Sequence, residues 1–134
     1  MKQYIIGLVA AAAVAACSAL PSGGSRVGKS QEFIGSSKWV LADQVKGQTP
    51  TLEIESNKIT GTGGCNRYSG EIVLDATAGN FSAKNIASTK MACDNMPVET
   101  NFFSMLQEAN KYVVNGNTLE LYRNQLLLMK LNRQ

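Results

Sequence analysis

The sequence contains no histidine, and this absence removes several classes of function at once. Ser–His and Cys–His catalysis needs an imidazole, and so does any histidine-ligated metal site. The basic residues are scattered, with no cationic run and no basic stripe carrying interleaved aromatic residues, so nucleic acid is not an expected partner. The apolar run from Ile5 to Ala16 is shorter than the roughly 20 residues that a transmembrane helix needs.

That apolar run has the position and length of the core of an export signal. Lys2 is the single charge ahead of it, and the run ends in small residues before a cysteine, Val14–Cys17. This ending resembles the lipobox of bacterial lipoproteins, in which the cysteine thiol carries a diacylglyceryl group. The sequence therefore predicts a signal peptide over residues 1–16 and lipidation at Cys17. The alternative is an ordinary signal peptide in which Cys17 is an incidental thiol.

A lipidated Cys17 makes the membrane itself a partner. One acyl chain holds a protein marginally, whereas two or three chains make the attachment persistent. Ser18, rather than an acidic residue, follows the cysteine, which resembles the outer-membrane sorting pattern of Gram-negative bacteria. The expected location is the cell envelope, lipid-anchored at the outer membrane and facing the periplasm.

Glycine and serine dominate the segment that follows, which carries few apolar residues. Such a composition is typical of a flexible linker. We therefore expect a lipid-anchored tether over residues 17–35 and one folded domain over residues 36–134.

The domain is read as a series of short strands separated by turns. Leu52 and Ile54 alternate with acidic residues, as in a strand with one buried face. Asn57-Lys58, Asn115-Gly116 and Asn124-Gln125 are turn signals, and Asn-Gly is among the strongest of them. About eight short strands are expected, in a mainly β (α+β) domain.

One segment departs from the strand pattern. Between Pro97 and Ala109 the apolar residues recur at three- and four-residue spacing, as on one face of an amphipathic helix. Pro97 suits the first turn, Asn95 is a candidate cap, and Glu99 lies near the positive end of the helix dipole. A single helix near residues 97–109 is predicted.

Two motifs invite a catalytic or phosphate-binding interpretation. The glycine-rich stretch from Gly61 to Asn66 is followed by a strand pattern rather than a helix, so a bulge or turn is favoured over a phosphate loop. Glu53 and Glu55 share one strand face, but alternating strands commonly expose such pairs and nothing nearby indicates a raised pKa. No catalytic residue is assigned.

Cys65 and Cys93 are the cysteines that remain once Cys17 is acylated. In an oxidising envelope the simplest interpretation is a disulfide. Free thiols packed as small apolar side chains are the main alternative. A redox pair lacks the Cys-x-x-Cys spacing, and a zinc site lacks two further ligands.

The segment Leu126–Met129 is apolar on both faces of an expected strand. Burial on both sides is one interpretation, with the helix covering one face. In the other, Leu126 and Leu128 line an apolar groove for a lipid or a partner segment, while Leu127 and Met129 face the core. Both interpretations remain open on the sequence alone.

The ordered motifs of the domain resemble those of the META domain, or HslJ-like, family. The elements are Trp39-x-Leu41, Gly47-x-x-Pro50, Gly64-Cys65-Asn66-x-Tyr68-x-Gly70, Thr89-x-Met91-Ala92-Cys93, Glu99, and the terminal leucine-rich hairpin. The resemblance covers nearly all of residues 36–134. It implies a small, partly open antiparallel β-barrel with one helix, and association with heat stress, other stress or aminocoumarin tolerance. It implies no reaction, no cofactor and no active-site residues.

The functional expectation is therefore a non-enzymatic envelope lipoprotein. It would support stress tolerance through contact with another envelope component, an unidentified protein or lipid. The alternative is a carrier of an apolar ligand or lipid in a cracked β-barrel.

Overall fold

The computed structural model describes residues 25–134, and these form an eight-stranded antiparallel barrel with one helix. This confirms the mainly β class and the strand count. The signal peptide and the lipidation site at Cys17 lie outside the described residues. The elements are β1 (Ser36–Leu41), β2 (Thr51–Glu55), β3 (Lys58–Thr62), β4 (Arg67–Asp75), β5 (Asn80–Ser88), α1 (Met96–Glu108), β6 (Lys111–Asn115), β7 (Thr118–Arg123) and β8 (Leu126–Arg133).

Each strand pairs with its neighbours along the chain, and β8 returns to pair with β1 at Trp39↔Arg133. The barrel is therefore closed. The shortest strand pairing is between β5 and β6, which share a single residue pair, Asn80↔Lys111. Because α1 is the connection between these two strands, this pairing is also where the helix joins the sheet.

The barrel interior is filled by side chains from the alternating positions of the strands. Trp39, Phe81 and Tyr112 are fully buried there, together with aliphatic residues from β2, β3, β7 and β8. Small barrels of about eight strands are just wide enough to be packed in this way. The core consequently occupies the lumen.

The helix matches its predicted position to within one residue and buries the predicted face. Phe102 and Leu106 are fully buried on it. Pro97 lies in the first turn as expected, and Asn95 occupies the N-cap position. Its side chain, however, makes no capping hydrogen bond and donates instead to the carbonyl oxygen of Gly64 (2.9 Å).

The folded part begins earlier than the predicted boundary at residue 36. Ile34 is fully buried in the core, and the Tyr112 hydroxyl donates to the carbonyl oxygen of Glu32 (2.9 Å). The Gln31 amide donates to the carbonyl oxygen of Ala76. Composition indicated a tether here, but the burial of Ile34 and these hydrogen bonds attach the segment to the barrel.

The β8 strand departs from the strict alternation that the sequence analysis assumed. Leu121 pairs with Met129 and Tyr122 pairs with Leu127, so a bulge adds one residue on β8. Leu127 is consequently exposed rather than buried as predicted, whereas Leu128 packs against the core. Leu126 is exposed as well, so Leu126 and Leu128 do not share one face as the groove interpretation required.

Alanine replacements in β8 should separate these environments. Met129→Ala removes a buried side chain and is expected to lower the free energy of unfolding by about 2–5 kcal/mol. Leu127→Ala changes an exposed side chain and is expected to cost less than about 1 kcal/mol. Urea unfolding of both variants checks this, and equal losses would contradict the bulged register.

Candidate functional site

Three segments of the chain meet beside the start of α1. The loop between β3 and β4 brings Cys65 and Asn66, the segment after β5 brings Cys93 and Asn95, and the helix brings Glu99. We call these five residues the Glu99 cluster. Both cysteine-containing motifs of the domain contribute residues to this cluster.

The Glu99 carboxylate is the centre of this cluster and is only 3% exposed. Its Oε1 accepts hydrogen bonds from the backbone amides of Asn66 (2.6 Å) and Cys65 (3.3 Å). Its Oε2 accepts a hydrogen bond from Asn66 Nδ2 (2.7 Å). A buried carboxylate is costly unless it is hydrogen-bonded, and here the loop supplies the donors.

Asn66 links the Glu99 carboxylate to the segment after β5 through hydrogen bonds. Its Oδ1 accepts from the Thr89 hydroxyl (2.9 Å) and the Met91 amide (2.7 Å), and its Nδ2 also donates to the Met91 carbonyl oxygen (3.0 Å). Within residues 25–134, every buried polar side-chain atom has a hydrogen-bond partner. The cluster is thus a fully satisfied network, which fixes the relative position of its three segments.

Glycine is required where the loop passes closest to the helix. A Cβ on Gly63 would lie 2.8 Å from Glu99 Cγ and 2.7 Å from Phe103 Cζ. Gly64 has a backbone φ of 111°, a conformation that residues with a side chain rarely adopt. The loop is a turn, as predicted. Two of its backbone amides donate to a carboxylate, but that carboxylate is the protein's own Glu99.

The disulfide joins Cys65 to Cys93, the pairing predicted from the sequence, with a Cα–Cα distance of 6.0 Å. It links the same two segments that Asn66 links by hydrogen bonds. Among the residues that the structure describes, no group of three potential metal-ligating side chains is found.

Tyr68 packs beneath the cluster. Its ring contacts Phe103 edge-on, with centroids 5.3 Å apart, and its hydroxyl donates to the Thr51 carbonyl oxygen (2.7 Å). Burial raises the pKa of Tyr68 far above its ordinary value. The hydroxyl therefore stays protonated and acts as a hydrogen-bond donor.

A surface cleft of about 670 Å³ lies next to the disulfide. It is open to solvent and bordered by Cys65 and Tyr68. Neither Leu126 nor Leu128 borders it. The other side chains that line it are mainly polar and come from the β1–β2 loop and strands β2 to β4: Gln48, Thr51, Glu53, Thr60, Thr62 and Arg67.

The carboxylate pair considered in the sequence lies on the outer face of β2. Glu53 borders the cleft and forms an ion pair with Lys38 (3.6 Å), while Glu55 is exposed at the strand end. Glu99, by contrast, was assigned only a dipole interaction. The available signal was its spacing from Phe102 and Leu106, which places a charged residue on the buried stripe of the helix.

Helices long and apolar enough to cross a membrane are absent from residues 25–134.

Comparison with known proteins assigns the family. No curated protein matches the chain. An NMR structure of a protein from Burkholderia xenovorans superposes with a TM-score of 0.65 at 18% identity, covering 86% of this chain and 97% of that one. A second NMR structure gives a TM-score of 0.59 at 25% identity, covering 73% and 89%. The family model of the META domain matches residues 33–133. The chain therefore belongs to the META domain family.

Proposed function

We propose that the protein is a lipid-anchored, non-enzymatic envelope protein that acts by contacting another envelope component through the cleft beside the Glu99 cluster. Membership of the META domain family is compatible with an envelope protein. The anchor at Cys17, the contact and the role in tolerance of heat or antibiotic stress are the proposed parts.

The observation that carries the proposal is the filled barrel. Trp39, Phe81, Phe102 and Tyr112 are fully buried in the interior, which leaves recognition to the outer surface. The carrier alternative, an apolar ligand inside a cracked barrel, would require these side chains to move aside. The packed interior therefore favours a surface contact over a carrier.

The cleft has features that suit a polar partner. Thr51, Thr60 and Thr62 line it together with the oppositely charged Glu53 and Arg67. The disulfide and the hydrogen bonds of Asn66 hold the neighbouring loop in place. A preorganised surface loses less entropy on binding than a mobile one. We infer a polar protein segment or glycan of the envelope as the partner.

Site-specific photo-cross-linking in intact cells tests the contact. A photoreactive residue at Thr60, exposed in the cleft, should give a discrete cross-linked species, and Arg67→Glu should abolish it. The matched control is Asn117, exposed in the β6–β7 turn and outside the cleft. The same species at both positions, or none at Thr60, would exclude the cleft as the contact surface.

The stress role has its own test. A strain lacking the protein should lose tolerance of heat or an aminocoumarin, the wild-type chain should restore it, and Arg67→Glu should not. Restoration by the Arg67→Glu chain would separate the stress role from the cleft.

The anchor gives a further prediction. Cys17→Ala removes the thiol to which the lipid is attached, so the protein should leave the membrane fraction and retain its signal peptide. Cys93→Ser, which removes a different thiol, should leave fractionation unchanged. Intact-mass analysis of the mature wild-type protein should give an acylated chain beginning at Cys17, and an unmodified cysteine would disprove the anchor.

A further inference from the structure

We propose that the turn between β7 and β8 rests on the membrane, with Leu126 and Leu127 inserted at the boundary between lipid headgroups and acyl chains. This inference rests on the lipid anchor of the proposed function. It assigns a lipid-contacting surface to a part of the barrel other than the cleft.

The turn exposes two large apolar side chains that are adjacent in sequence. Leu126 is 55% exposed and Leu127 is 40% exposed. Adjacent residues of a regular strand point to opposite faces, so both are exposed only because the strand begins here and the bulge shifts the register. The other large exposed apolar residues of the described chain stand singly in the sequence: Phe33, Val73 and Met91.

The chain also enters the described part of the molecule at this turn. The Ser25 hydroxyl donates to Gln125 Oε1 (2.8 Å). At an extended length of roughly 3.5 Å per residue, the chain from Cys17 to Ser25 reaches at most about 28 Å. A lipid on Cys17 therefore keeps Ser25, and with it this turn, within about 28 Å of the membrane surface.

The turn is held in a fixed position. The Asn124 amide donates to Asn110 Oδ1 (2.8 Å), and Asn110 Nδ2 donates to Asn124 Oδ1 (3.0 Å). The Asn110 amide donates to the carbonyl oxygen of Tyr122. Since Asn110 follows α1, the turn is attached to the end of the helix, and the two leucines are presented without further ordering.

The charges around the leucines suit an anionic lipid surface. Arg123 is the register partner of Leu126 and is half-exposed, and Arg26 lies beside Ser25 at the surface. Arg123 forms an ion pair with Glu108 (3.5 Å), which offsets part of its charge. Exposed apolar residues flanked by arginines are the combination that binds bilayer interfaces.

Photo-cross-linking to lipid tests this surface. The acylated protein is reconstituted into vesicles of phosphatidylethanolamine and phosphatidylglycerol that contain a phospholipid with a diazirine in its acyl chain. We expect the label on the peptide that contains Leu126 and Leu127. The double variant Leu126→Asn, Leu127→Asn should lower this labelling about tenfold, the factor that corresponds to about 1.4 kcal/mol.

The matched control is Val73→Asn, which changes an apolar side chain that is equally exposed on β4. Its labelling should equal that of the wild type. A second variant, Leu127→Trp, should increase the label, because tryptophan favours the bilayer interface. Unchanged labelling in the double variant would overturn the proposal. Label spread over the whole barrel would overturn it as well.

Failure of the anchor is distinguishable from failure of this surface. Intact mass before reconstitution reports whether Cys17 is acylated. If it is not, a maleimide phospholipid coupled to the Cys17 thiol supplies the attachment, and the comparison of the double variant with Val73→Asn is repeated unchanged.

Discussion

Reduction of the Cys65–Cys93 disulfide is expected to lower the free energy of unfolding by about 3.5 kcal/mol, because it frees a loop whose ends are 28 residues apart in sequence. The native fold should nevertheless persist at low denaturant. Asn66 still joins the same two segments through Thr89 and Met91, and Glu99 still holds the Cys65 amide. Reduction should therefore shift the unfolding midpoint without abolishing the transition.

The measurement is urea unfolding of residues 17–134 carrying Cys17→Ala, which have neither the lipid nor the signal peptide, with and without reductant. The control is the same protein carrying Cys65→Ser and Cys93→Ser, whose midpoint should match that of the reduced chain and should not respond to reductant. Thiol titration must show two free thiols in the reduced sample. Coincident unfolding curves with and without reductant, at that thiol count, would contradict a stabilising role for the disulfide.

Most of the barrel could be predicted from local patterns in the sequence. Asn115-Gly116 lies between β6 and β7, and Gly116 has a positive φ of 61° with open space around it. Asn124, also at positive φ, begins the turn before β8. These elements were predictable because a hairpin is specified by two turn residues and the alternation on either side.

The features that the sequence analysis predicted wrongly depend on contacts between distant parts of the chain. Phe33 and Ile34 form a short apolar pair in an otherwise polar segment, and the burial of Ile34 requires the barrel end formed around Tyr112. The bulge in β8 reverses the expected environments of Leu127 and Leu128. No local residue marks that bulge, because its position is set by the pairing with β7.

The role of Glu99 was only partly predictable from the sequence. Its place on the apolar stripe of α1 was a signal for a buried acid that the sequence analysis did not use, and the identity of the donors comes only from the fold. The amides of Cys65 and Asn66 lie more than 30 residues away in sequence. Helix and loop are thus specified locally, while the hydrogen bonds between them are specified by tertiary structure.

Glu99→Ala is expected to lower the free energy of unfolding by about 3 kcal/mol or more, since each buried donor left unpaired costs about 1–3 kcal/mol. The variant removes the acceptor of two backbone amides, those of Cys65 and Asn66. Asn66 Nδ2 keeps its second acceptor, the Met91 carbonyl oxygen, so that donor adds less to the loss. Glu99→Gln keeps one acceptor oxygen but turns an NH₂ group toward Asn66 Nδ2, and an intermediate loss follows.

Glu108 supplies the matched control, because it is a glutamate on the same helix whose carboxylate is half-exposed and is hydrogen-bonded to Ser104 and Arg123. Glu108→Ala should cost no more than about 1 kcal/mol, as exposed ion pairs do. Urea unfolding of residues 17–134 carrying Cys17→Ala compares the three variants, with the disulfide kept intact. If Glu99→Ala were no more destabilising than Glu108→Ala, the buried carboxylate would not be holding the loop. The disulfide and the Asn66 hydrogen bonds would then have to order the surface beside the cleft. The expected order of stability is Glu108→Ala, then Glu99→Gln, then Glu99→Ala, because it follows the number of buried donors that each change leaves unpaired.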